Sequence, residues 1–86
     1  MNLDLPFWIR QRQMKVEPVS TGCYRLSGPN LPEAVISVRI DDSLRWRAAV
    51  AKQPGGPEIA STRPEFDSPR DALSAAFELY RGRFVV

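Results

Sequence analysis

Apolar and polar residues alternate through positions 33–40. Ala34, Ile36, Val38 and Ile40 take every second place, with Glu33, Val35, Ser37 and Arg39 between them. A period of two is that of a strand with one buried face. Segment 44–52 repeats it, with Leu44, Trp46, Ala48 and Val50 alternating with Arg45, Arg47, Ala49 and Ala51. Parity then restricts how the two strands join. A two-residue loop at Asp42-Ser43 sets Ile40 against Arg45, whereas a three-residue loop at Asp41-Asp42-Ser43 sets Ile40 against Leu44, Val38 against Trp46 and Ile36 against Ala48. Only the second register, or one differing from it by two residues, keeps both apolar rows on the same face.

Weaker signals flank this hairpin. Gly22-Cys23-Tyr24-Arg25-Leu26 reads as a short strand ended by Ser27-Gly28-Pro29-Asn30. Segment 14–19 extends it or forms a separate edge, because Pro18 has no amide to donate. Gln53-Pro54-Gly55-Gly56-Pro57 is a turn signal, after which 58–62 returns as a fourth strand closed by Pro64.

The spacing predicts a helix over 68–82. Ser68 is placed to cap it, Pro69 takes the first helical position and Asp71 lies where a carboxylate reaches back to the cap. Leu73, Ala76, Phe77 and Tyr80 recur at i, i+3, i+4 and i+7 and make one apolar stripe, widened by Ala72, Ala75 and Leu79. Gly82 suits the left-handed position beyond the end, and the apolar tail after it is expected to pack back. Within the N-terminal segment 1–19, Asp4 is expected to cap a short helix that turns Leu5, Trp8 and Ile9 inward. An extended arm is the alternative.

These elements define one small α+β domain over 1–86: an antiparallel meander of three to four strands across 22–63, with the helix of 68–82 covering one face. The expected core is Tyr24, Leu26, Ile36, Val38, Ile40, Trp46, Val50, Ile59, Phe66, Leu73, Ala76, Phe77 and Tyr80.

Composition narrows the chemistry more than the fold. With 43% hydrophobic and 26% charged residues, the chain is globular rather than disordered. It has no histidine and a single cysteine, Cys23. Ser-His-Asp and Cys-His pairs are therefore excluded, as is a zinc site of thiolates and imidazoles within one chain. A lone cysteine cannot close an internal disulfide and fits a reducing compartment. The start Met1-Asn2-Leu3-Asp4-Leu5-Pro6 lacks the basic and apolar regions of a secretory signal, and no window has the apolar length of a membrane span. The expectation is a cytoplasmic protein with no membrane partner, no metal and no cofactor. Twelve basic against ten acidic residues, net +2, permit an anionic partner without requiring one.

The leading candidate surface is an arginine row. In the register above Arg39 faces Arg45, with Arg47 on the same face and Arg25 or Lys52 extending it. Like charges directly opposite cost roughly 0.2–1 kcal/mol unless something offsets them. A phosphate backbone would do so; so would Asp41, Asp42, Glu33 or Glu58 on a solvated face. The second candidate is the N-terminal cluster of Phe7 and Trp8 with Arg10 and Arg12, which suits partner docking or simply completes the core. Catalytic signals are poor. Asp41-Asp42 reads as a turn former, Glu65, Asp67 and Asp71 read as helix-start charges, and the 53–57 glycines lack the Lys-Ser/Thr pair of a phosphate loop.

Arg45-Trp46-Arg47-Ala48-Ala49-Val50, a turn, Phe66-Asp67-Ser68 and the alanine-rich helix through Tyr80 resemble the second half of an AP2-type DNA-binding domain. The likeness covers about half of the 86 residues. It implies an arginine- and tryptophan-bearing sheet laid in a DNA groove with a helix behind it. The chain departs from that pattern in lacking an arginine-rich first strand and in having Arg63-Pro64-Glu65 before the phenylalanine, so no site residue carries over. The expected function is a non-enzymatic protein-interaction or regulatory module, acting on an unknown protein partner or a second copy of itself. Nucleic-acid binding through Arg39, Arg45 and Arg47 is the alternative.

Overall fold

The computed structural model describes residues 5–85. Strands β1 (Lys15–Ser20), β2 (Cys23–Gly28), β3 (Leu31–Ile40), β4 (Trp46–Ala51) and β5 (Glu58–Ser61) follow a short helix α1 (Phe7–Gln11) and precede a long helix α2 (Pro69–Phe84). The strands form one five-stranded antiparallel sheet in sequence order, and α2 packs across β3 and β4. The α+β meander with its C-terminal helix is thus as expected, with segment 14–19 forming a separate fifth strand at one edge. Pro18 is accommodated there, and the pairing with β2 shifts between Pro18 and Ser20.

The covered face is made by alternation. Leu26, Ala34, Ile36, Ala48 and Val50 are fully buried against Ala72, Ala76, Phe77 and Tyr80 of α2. Alanines on both surfaces let helix and sheet approach closely, and the larger residues fill the space between them. The Tyr80 hydroxyl donates to the Pro32 carbonyl at 2.6 Å and ties the helix to the start of β3. Pro32 is tolerated because β4 pairs with β3 only from Val35 onward, leaving that end of β3 with a single neighbour.

The β3–β4 register is one of those that parity allowed, and three expectations, on Leu44, Ile40 and Gly82, are corrected. That register lies two residues from the three-residue-loop one: Ile40 pairs with Trp46, Val38 with Ala48 and Ile36 with Val50. The apolar parity survives, but residues 41–45 form the loop. Asp41 organises it, its carboxylate accepting from the Ser43 amide (3.0 Å), the Ser43 hydroxyl (2.6 Å) and the Arg45 amide (3.1 Å). The Ser43 hydroxyl holds the Asp41 carboxyl below its ordinary value. Leu44 consequently leaves the strand, with a left-handed φ of 63° and 76% exposure.

Ile40, expected in the core, lies on the last rung beside that loop and is 50% exposed. Gly82 is not a left-handed cap but lies within α2, which runs on to Phe84. Phe84 packs against Tyr80 at 5.0 Å between ring centroids, and that i, i+4 contact holds the extra turn. Finally, α1 has Pro6 at its N-cap with no side-chain cap bond. Asp4, expected to cap it, lies outside the described residues, as does Val86. The tail does pack back, with Phe84 and Val85 partly buried against the core.

Candidate ligand surface on the open sheet face

Residues at odd positions of β2, β3 and β4 point away from α2. They form rungs in which Cys23 sits beside Ser37 and Ala49, Arg25 beside Val35 and Ala51, and Arg39 beside Arg47. The arginine row therefore differs from the expected one: Arg47, not Arg45, faces Arg39. Arg45 belongs to the loop and pairs with Asp67, because Asp41 pulls its amide into the turn.

Carboxylates meet most of these guanidinium groups. Arg47 donates to both Glu58 oxygens, at 2.8 and 3.0 Å. That fork raises the Arg47 pKa and holds the Glu58 carboxyl below its ordinary value, the hydrogen bond being the larger cause in each. Arg25 lies 3.6 Å from Glu33. Of the carboxylates expected to neutralise the face, Glu33 and Glu58 do so, while Asp41 serves the loop. Arg39 is exposed and has no ion-pair partner among the described residues, although its charge is one cause lowering Glu58.

The face is not flat. Val35 and Ala49 are only 3% and 4% exposed, though no helix lies over them. The turns 20–23 and 53–56 flank a half-open trough of about 370 Å³. Val35, Ser37, Ala49 and Ala51 line its floor, and Arg39 and Glu58 contribute to its wall. Gly22, with φ 73°, permits the first turn, since a Cβ there would meet the Val38 carbonyl at 3.1 Å. Sequence reasoning missed the trough. Its one signal was the run of small residues (Cys23, Ser37, Ala49, Ala51) at the outward positions.

The N-terminal candidates separate by direction. Trp8 turns inward, stacked on Tyr80 at 6.0 Å and edge-on to Phe77 at 6.5 Å, and Ile9 is 1% exposed. Trp8 is therefore a packing residue, the aromatic pairing with α2 outweighing its place beside basic residues. Phe7 points outward at 78% exposure, and Arg10 and Arg12 are exposed.

Among the described residues, no group of three or more His, Cys, Asp or Glu side chains is arranged to hold a metal ion, and no helix is long and apolar enough to cross a membrane. Fold and surface define an antiparallel α+β meander with one covered face and one troughed face. No protein-family model, curated protein or solved structure matches the chain. The likeness to an AP2-type domain accordingly rests on local residues alone. Trp46 and Arg47 lie on opposite faces of β4, and Arg45 is off the sheet.

Proposed function

We propose that this chain is a small, non-enzymatic interaction module that docks a protein partner through the outward side of α1, with Phe7 as the apolar anchor and Arg10 and Arg12 as its charged surround. The observation that carries this reading is the 78% exposure of Phe7 on a helix whose next two residues, Trp8 and Ile9, are clamped against the core. Phe7 is thus presented from a rigid support. An aromatic anchor beside arginine is the composition of binding hot spots, and the basic surround favours an acidic partner. Cys23 as the sole thiol suits a cytoplasmic setting.

The sheet edges have less support as docking sites. β1 carries Lys15, Glu17, Pro18 and a register shift, and β5 has only four residues and a shift of its own. Both are devices that discourage strand addition. The alternative, nucleic-acid binding, draws on Arg39 alone, because Arg45 and Arg47 are engaged by carboxylates.

The test uses wild type, Phe7→Ser, Arg10→Glu and, as a control, Leu44→Ser. Light scattering over a concentration series reads self-association, and capture from lysate reads a second protein. A mass increase, or a retained acidic protein, that is lost in Phe7→Ser and Arg10→Glu but kept in Leu44→Ser is expected. A strict monomer with the same retained proteins for all four removes the reading. Salt-dependent binding to short DNA or RNA that disappears in Arg39→Glu replaces it with the nucleic-acid one.

A further inference from the structure

We propose that the trough on the open sheet face binds a small organic monoanion, a carboxylate with a short apolar body, and that Arg39 is its charge partner. The half-open trough, of about 370 Å³, lies in the size range of small-molecule sites. Its floor is apolar at Val35, Ala49 and Ala51 and its rim is polar, which is the usual division between a site's affinity and its orientation. The hydroxyls of Thr21 and Ser37 line it and have no hydrogen-bond partner in the protein among the described residues.

Charge selects the ligand. Arg39 stands directly opposite Arg47, and the one carboxylate among the described residues lining the trough, Glu58, gives both oxygens to Arg47. Two guanidinium groups thus share one carboxylate, and Arg39 keeps its whole donor fork. A single carboxylate matches that fork in shape and charge. A phosphate dianion would bring a second negative charge that no uncommitted cation of the trough wall answers. A neutral molecule would leave the Arg39–Arg47 repulsion unrelieved.

The experiment is a titration of the full chain, labelled with nitrogen-15, at constant pH and ionic strength. Acetate, butyrate and benzoate are the carboxylate probes; benzamide and inorganic phosphate are the controls. Saturable shifts are expected for the amides of Cys23, Ser37, Ala49, Ala51 and Gly55 with butyrate or benzoate. Arg39→Gln, an exposed change that leaves the thermal midpoint in place, weakens binding about tenfold by removing a charge-assisted contact. Ser37→Leu, which fills the floor, abolishes it while the fold's spectrum is retained. Phe7→Ser leaves the titration unchanged, which separates this site from the α1 surface. Absence of saturable shifts with all three carboxylates, equal shifts with benzamide or phosphate, or undiminished affinity in Arg39→Gln overturns the proposal.

Discussion

The two faces of the sheet are built from the same three central strands, yet they bury their residues by different means. On the α2 side, Ile36 and Val50 reach zero exposure under a helix that brings its own apolar stripe. On the other side, Val35 is 3% and Ala49 4% exposed, flanked by the side chains of neighbouring strands and by two turns, with no helix over them. The first face is closed by complementary packing and gains dispersion contacts on both surfaces. The second is sheltered but unfilled. Low exposure alone therefore does not identify core: Val35 and Ile36 are neighbours in sequence with nearly equal burial, and only one has close-packed partners above it.

That contrast is open to direct attack. The largest effect is expected at Phe77, which lies wholly in the covered face. Phe77→Ala should cost about 3–5 kcal/mol in chemical denaturation, and a loss under about 1 kcal/mol would mean the helix contributes little to closing that face. The adjacent pair gives the sharper comparison. Ile36→Ala should cost roughly 2–5 kcal/mol, but Val35→Ala only about 1–2 kcal/mol, since the space it leaves opens onto solvent in the trough instead of forming a sealed cavity. Equal losses would show that the troughed face is packed core after all.

Gly82→Ala tests how α2 ends over the covered face. A Cβ at Gly82 meets nothing within 4 Å, and the residue is helical. The change should stabilise by about 0.5–1 kcal/mol; destabilisation would restore Gly82 as a left-handed cap.

The smallest effect belongs to the troughed face. With Arg47 and Glu58 side chains 26% and 40% exposed, solvent screening leaves their pair worth about 0.2–1 kcal/mol. The Glu58 carboxyl is held below its ordinary value, so its contribution is present above the ordinary carboxylate range and is lost as pH falls through the folded value. The difference between wild type and Glu58→Gln should thus be visible near neutrality and vanish in acid. A difference that persists unchanged in acid would assign the effect to packing.

Several of these features were legible without coordinates. The alternation at 33–40 and 44–52 dictated two paired strands and the parity of their register, because a one-residue slip would carry every apolar side chain to the wrong face. The stripe through Leu73, Ala76, Phe77 and Tyr80, with the Ser68 cap, dictated a helix, and the Ser68 hydroxyl does accept from the Asp71 amide at 3.1 Å. Absence of histidine removed whole classes of chemistry. These are local or periodic properties, carried by residues near one another in the chain.

Tertiary structure decided the rest. Parity cannot distinguish registers two residues apart, so the choice fell to the Asp41 carboxylate, which closed a longer loop and put Arg47, not Arg45, beside Arg39. Gly82 reads as a stop until Phe84 finds Tyr80. Trp8 reads as either a docking or a core residue until α2 supplies two rings for it. The trough needed the turns at 20–23 and 53–56, distant in sequence, to rise on the same face. Each outcome depends on partners that only folding brings together, and contacts of that kind leave no periodic mark in the chain.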